Sequence, residues 1–150
     1  MKISIGCDEA AYSYKNAIRD MLTAKGYEVK DFGVYNEDPS MYPDTAVAVC
    51  ASVIRGEADR AILLCGTGIG MAITANKVPG IRAAVCHDSF STERSRKSND
   101  CQVMCMGARV IGLELAKQLV GQWLTYDFAG GGSYAKVEKI KEYERKFNRD

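Results

Sequence analysis

The sequence predicts an α/β fold: a five-stranded parallel sheet with helices on both faces. Two features lead there. Short apolar runs alternate with segments whose apolar residues recur at helical spacing. One run, Ala61–Cys65, is apolar without a break, the pattern of a strand buried on both faces. Length adds a bound, because 150 residues fit one domain, 1–150, with a single core.

Taken in order, Ile3–Cys7 reads as the first strand. Tyr14, Ala17, Ile18, Met21 and Leu22 follow at helical spacing, and Lys25-Gly26 stops that helix. Glu28–Phe32 is the second strand, followed by a polar loop with Pro39 and Pro43. Ala46, Val49, Cys50, Val53 and Ile54 form the next helical stripe, closed by Gly56. After Ala61–Cys65 come the glycine loop Gly66-Thr67-Gly68-Ile69-Gly70, a short helix and the turn Pro79-Gly80. Arg82–Cys86 is the fourth strand, Asp88–Ser98 a polar helix or loop, and Val103–Met106 the fifth strand. Leu115, Ala116, Leu119, Val120 and Trp123 mark a long helix. Gly130-Gly131-Gly132 reads as a flexible joint before a C-terminal helix with Val137, Ile140, Tyr143 and Phe147 on one face. That helix packs either on its own domain or on a partner subunit.

Composition narrows the function. A net charge of +1 gives no field that favours nucleic acid or anionic lipid. No apolar run approaches the roughly 18 residues that span a bilayer, and Met1–Gly6 reads as a strand rather than a signal peptide. The expected compartment is the cytosol. The six cysteines show no C-x-x-C spacing and there is one histidine, so neither a zinc site nor a disulfide framework is expected. Free cysteine packs well as a small hydrophobe.

In an open α/β sheet, ligands bind beyond the carboxyl ends of the strands. The residues expected there are Cys7, Asp8 and Glu9; Cys65 and its glycine loop; His87 and Asp88; and Gly107, Ala108 and Arg109. Glycines let backbone N–H groups approach an anion, and a helix N-terminus adds a favourable dipole. The loop is not G-x-G-x-x-G, because Met71 takes the last glycine position, and no Gly-Lys-Ser/Thr makes it a P-loop. By itself it is an anion cradle or a structural turn. Cys65 is a base or nucleophile, or simply a core residue ending its strand.

The chain resembles the type B ribose-5-phosphate isomerases and their galactose-6-phosphate isomerase relatives. The resemblance runs collinearly through Gly6-Cys7-Asp8, Gly26-Tyr27-Glu28-Val29, Asp31-Phe32-Gly33 and Tyr42-Pro43. It continues through Cys65–Gly70, Ala75–Ala83, Ser98-Asn99-Asp100 and Gly107–Gly112. It implies a Rossmann-like three-layer α/β/α sandwich with no cofactor, acting as a homodimer or homotetramer whose sites are built between subunits. It also implies an aldose–ketose isomerase working through an enediolate. Cys65 would be the base, with Thr67 and the amides of Gly66, Gly68, Ile69 and Gly70 stabilising the enediolate oxygen. Asp8 would hold a sugar hydroxyl or move a proton at oxygen, Asn99 and Arg109 would bind substrate, and Lys136 matches a basic phosphate position.

Four positions depart from the family pattern. Glu9 replaces a histidine, and Ser98 replaces the histidine that is the ring-opening acid. Gly132 stands at a basic position, and Lys136 at an arginine. Ribose 5-phosphate closes a ring through its 4-hydroxyl, whereas erythrose 4-phosphate has that oxygen esterified. The departures therefore suggest a branch acting on the erythrulose 4-phosphate/erythrose 4-phosphate pair. His87 either supplies the missing acid from another direction or is an ordinary loop histidine. Glu9 either contacts sugar hydroxyls or caps the first helix. A sugar-phosphate- or nucleotide-binding module without catalysis is the alternative reading, with a redox role for the cysteines further behind.

Overall fold

The computed structural model describes residues 1–148. Its elements are β1 (Lys2–Cys7), a 3-10 turn (Glu9–Ala11), α1 (Tyr12–Ala24), β2 (Glu28–Asp31), α2 (Tyr42–Ile54) and β3 (Arg60–Cys65). There follow α3 (Ile69–Ala75), β4 (Ala83–Val85), α4 (Ser89–Lys97), β5 (Val103–Gly107), α5 (Leu113–Thr125) and α6 (Gly132–Phe147). The five strands form one sheet in the order β2-β1-β3-β5-β4, and every pairing is parallel. The predicted α/β sandwich is the observed one.

Alternation along β3 divides the core into its two layers. Ile62 and Leu64 face a cluster with Ile3, Ile5, Ile18, Leu119 and Trp123, covered by α1 and α5. Ala61, Leu63 and Cys65 face the opposite cluster, with Val49, Cys50, Met71 and Ala75 of α2 and α3. Each fully buried large apolar side chain stabilises the fold by roughly 1.5–3 kcal/mol. All six cysteines are free and buried.

Several local outcomes differ from the sequence reading or settle it. Segment 88–98 is a helix, because Asp88 caps it: its Oδ2 accepts from the Ser91 amide at 2.7 Å. The predicted glycine joint is shorter than three residues. Gly130 and Gly131 have φ of 69° and 59°, but Gly132 is already the first helical residue. Of the apolar stripe on α6, only Val137 is buried (2% exposed), while Ile140, Tyr143 and Phe147 are 47%, 49% and 74% exposed. Glu144 fastens α6 to the Pro79-Gly80 turn by accepting the Gly80 amide at 3.1 Å on both oxygens. No helix among the described residues is long and apolar enough to cross a membrane.

Candidate active site

Cys65 ends β3 with its side chain on the α2/α3 face, 5% exposed. The chain turns sharply after it, so that the Gly68 amide donates to Cys65 Sγ at 3.1 Å. A donor at that distance strengthens as sulfur gains negative charge. Burial pushes the Cys7 thiol up to about 11 and those of Cys50 and Cys101 up to about 12, and it raises Cys86 and Cys105 as well. Those five are neutral thiols near pH 7.

Two glycines make the turn possible. Gly68 has φ +80°, and a Cβ there would lie 2.9 Å from the Met106 carbonyl carbon. A Cβ on Gly107 would lie 2.6 Å from Thr67 Cα. β5 is thus pressed against the loop, and the amides of Ala108 and Arg109 donate to the carbonyls of Cys65 and Gly66 at 2.9 and 3.0 Å. Gly70 leaves room for the Tyr42 ring, which roofs the loop from the start of α2. Thr67 is exposed, and its Oγ1 accepts from the Ile69 amide at 3.2 Å, so the hydroxyl proton is available to a bound oxygen. The resemblance implied that the loop amides serve an oxyanion, but two of them are engaged within the loop. Those of Gly68 and Ile69 already serve Cys65 and Thr67. α3 is seven residues long, so its dipole adds little to this cradle.

The opposite wall comes from the end of β1. Asp8 accepts the Ala11 amide at 3.2 Å and is itself the cap of the 3-10 turn. Burial raises its pKa above the ordinary value, with the Glu9 carboxylate adding to the effect, while backbone amides and Arg109 oppose it. Glu9 does not cap the helix. Its Oε2 accepts from Ser40 Oγ at 2.7 Å and from the Ser40 amide at 3.2 Å, which lowers its pKa and ties the β2–α2 loop to the site. Arg109 lies along Gly66, where a Cβ would be 3.5 Å from its Cδ and Nη1. Its charge acts on both Asp8 and Glu9.

His87 reaches the same edge, and its Nε2 accepts the Gly107 amide at 2.8 Å. Burial lowers its pKa below 6.5, opposed by Asp88. A neutral ring that accepts an N–H is the wrong state for a proton donor, so the geometry speaks against His87 as the ring-opening acid.

One chain does not bring Ser98, Asn99 or Lys136 to Cys65. Helix α4 carries the chain back from the carboxyl edge, and Ser98 closes it. There Ser98 Oγ accepts from Arg94, while the Asn99 carbonyl accepts from Arg82, just before β4. That is the amino edge of the sheet, separated from Gly107 by the length of β5, about 16 Å at 3.3 Å per residue. Lys136 is exposed on α6. A cavity of about 440 Å³ opens along the outer edge of β4. Its lining includes Arg82, Ala84, Arg94, Asn99 and Ile140 but none of the Cys65 loop. Arg94 and Arg96 of α4 are engaged at this edge as well. Arg94 binds Glu93 and Ser98, and Arg96 binds Asp100 and the Cys101 carbonyl.

The sequence profile of the Ribose/Galactose Isomerase family matches residues 3–140. The chain belongs to that family. It is 54% identical over 148 residues to the D-erythrulose-4-phosphate isomerase of Pectobacterium atrosepticum, covering 96% of this chain and 95% of the relative. It is 52% identical over 146 residues to the ribose-5-P isomerase B of Listeria innocua, covering 97% and 99%. The solved ribose-5-phosphate isomerase B of Clostridium thermocellum superposes with a TM-score of 0.97 at 47% identity, covering 99% of this chain and all of that one. Fold and isomerase family thus agree with the expectation from the sequence.

Three contributors had escaped sequence reasoning. Ser40 lies in a polar loop with no motif of its own. Tyr42 was visible only as part of Tyr42-Pro43, without a role. Lys15 interrupts the apolar pattern of α1, yet it is fully buried, with Nζ 3.0 Å from Asp31 and 2.6 Å from the Val34 carbonyl. Its pairing holds the Gly33–Val34 segment against Cys7, whose amide donates to the Gly33 carbonyl at 2.7 Å.

Proposed function

We propose that this chain interconverts an aldose phosphate and its ketose through a cis-enediolate, with Cys65 as the base. The thiolate takes the hydrogen from the carbon beside the carbonyl. The C–H electron pair becomes the C1–C2 double bond, the carbonyl electrons move to oxygen, and the proton returns to the other carbon. A positioned base of this kind contributes about 10²- to 10⁴-fold. Thr67 donates to the developing oxyanion and Arg109 neutralises it. Asp8, held less acidic than an ordinary carboxylate, handles the hydroxyl proton. The observation that carries this reading is the Gly68 amide directed at Cys65 Sγ in a loop with Arg109 alongside Gly66, whose charge also acts on Asp8.

The site is completed by a second copy of the chain. Asn99 and Lys136 lie away from Cys65 in their own subunit, and a symmetric dimer or tetramer supplies them to the neighbour. The substrate is a four-carbon sugar phosphate, the erythrulose 4-phosphate/erythrose 4-phosphate pair. Ser98 cannot open a sugar ring as an imidazolium does, and His87 is engaged as an acceptor. A substrate with no such ring needs neither. Relatives under both substrate names are almost equally similar, so the site chemistry carries this choice.

The test is an isomerase assay over four-, five- and six-carbon sugar phosphates, with Cys65→Ala as control. Turnover highest on the four-carbon pair and lost in Cys65→Ala supports the reading. Efficient use of ribose 5-phosphate with little four-carbon activity overturns the substrate, and an active Cys65→Ala overturns the base. A chain that binds these sugars without exchanging solvent deuterium into them is a binding module instead.

A further inference from the structure

We propose that His87 is a positioning residue for the isomerisation loop: a neutral imidazole that stands in for a strand carbonyl and holds the Gly107 peptide against Thr67. The register of the sheet carries this. The Val103 amide donates to the Arg82 carbonyl at 3.4 Å, and the Cys86 amide donates to the Cys105 carbonyl at 2.9 Å. Continuing a parallel ladder by that repeat would pair the Gly107 amide with the Cys86 carbonyl. β4 stops at Val85, however, as the chain turns toward the Asp88 cap of α4. The His87 ring fills the missing rung, with Nε2 2.8 Å from the Gly107 nitrogen.

What that rung supports is the reaction loop. Gly107 pairs with Cys65 across the sheet, and its Cα sits so close to Thr67 that no side chain fits between them. A Gly107 peptide released at the edge would loosen Thr67 and, through the next two amides, the carbonyls of Cys65 and Gly66. Acceptance at Nε2 leaves the ring proton on Nδ1. Partial burial favours this neutral form, and Asp88 is the charged group that opposes it. His87 therefore touches no substrate atom in this role. It acts through Gly107 and rests on the isomerase reading of the Cys65 loop.

Two variants test it. His87→Phe keeps a flat ring without an acceptor, and His87→Gln places an amide oxygen near the Nε2 position. His87→Phe should lower kcat about tenfold or more with KM within about twofold, and His87→Gln should recover kcat to within about threefold of wild type. By NMR, the Gly107 amide should exchange with solvent about tenfold faster in His87→Phe than in wild type or His87→Gln. Wild-type kcat and exchange in His87→Phe overturn the proposal. So does a His87→Gln protein as impaired as His87→Phe, the result expected of a proton donor, or a loss confined to KM. If His87→Phe does not fold, His87→Gln decides: near-wild-type kcat and Gly107 protection support the role, and loss of either overturns it. Failure of the base or substrate reading appears separately, in Cys65→Ala and in the wild-type sugar series. The exchange measurement needs no turnover.

Discussion

The Gly68 amide donates to Cys65 Sγ at 3.1 Å, three residues along the chain, because Gly68 adopts φ +80° where its Cα rests on the backbone of Met106. One backbone conformation therefore both shapes the loop and places a donor on the sulfur.

Gly68→Ala should disturb both. The left-handed φ and the contact with Met106 cost about 1–3 kcal/mol of stability. The displaced amide should lower kcat about tenfold or more. Thermal unfolding and steady-state kinetics measure the two effects. A variant with wild-type kcat would show that the Gly68 donor is unimportant to the reaction.

The buried thiols predict a sensitivity to alkali. A thiol whose pKa is higher in the folded chain binds its proton more tightly there. The stability it lends is complete below the unfolded value, near 8.5, and is lost as pH rises toward the folded value. For Cys7, Cys50 and Cys101 the folded values are about 11, 12 and 12. Each should contribute a loss on the order of 2 kcal/mol by pH 10. Tm followed from pH 8 to 10 should fall, and less steeply in Cys50→Ala and Cys101→Ala. A Tm flat over that range contradicts the assignment.

The proposed sharing of sites between subunits predicts complementation. Cys65→Ala and Asn99→Ala should each be strongly impaired alone. Unfolded together and refolded, they should recover on the order of a quarter of wild-type activity, because mixed dimers carry one site with both native residues. No recovery in mixed dimers means that one chain furnishes both residues of its own site.

Lys15 should prove structural. Lys15→Met leaves Asp31 with Arg19 and the Gly33 amide but removes the buried ammonium between Asp31 and the Val34 carbonyl. Urea unfolding should show a loss of about 2 kcal/mol or more. Since the pair also fixes the segment beside Cys7, KM should rise. An unchanged midpoint would mean that Arg19 alone suffices.

The order of strands and helices was legible in the sequence because periodicity of apolar residues is a local signal, and burial on two faces leaves an uninterrupted run such as Ala61–Cys65. The carboxyl-edge rule then gathered Asp8, Glu9, Cys65, His87 and Arg109 from sequence alone. Tertiary structure decided what each one touches there. Glu9 was open between capping and contact until Ser40, 31 positions away, was seen to hold it. His87 was open between acid and bystander until the end of β4 left the Gly107 amide for its Nε2 to accept. Asn99 reads as a site residue in sequence, yet the return of α4 puts it at the far edge of its own sheet. These outcomes depend on hydrogen bonds and contacts between residues distant in sequence, which form only once the sheet is assembled and leave no periodicity behind. Even Cys65 follows this division. Its place at the end of a buried strand was determined by the local run of apolar residues, and its amide partner by how closely β5 packs against the loop.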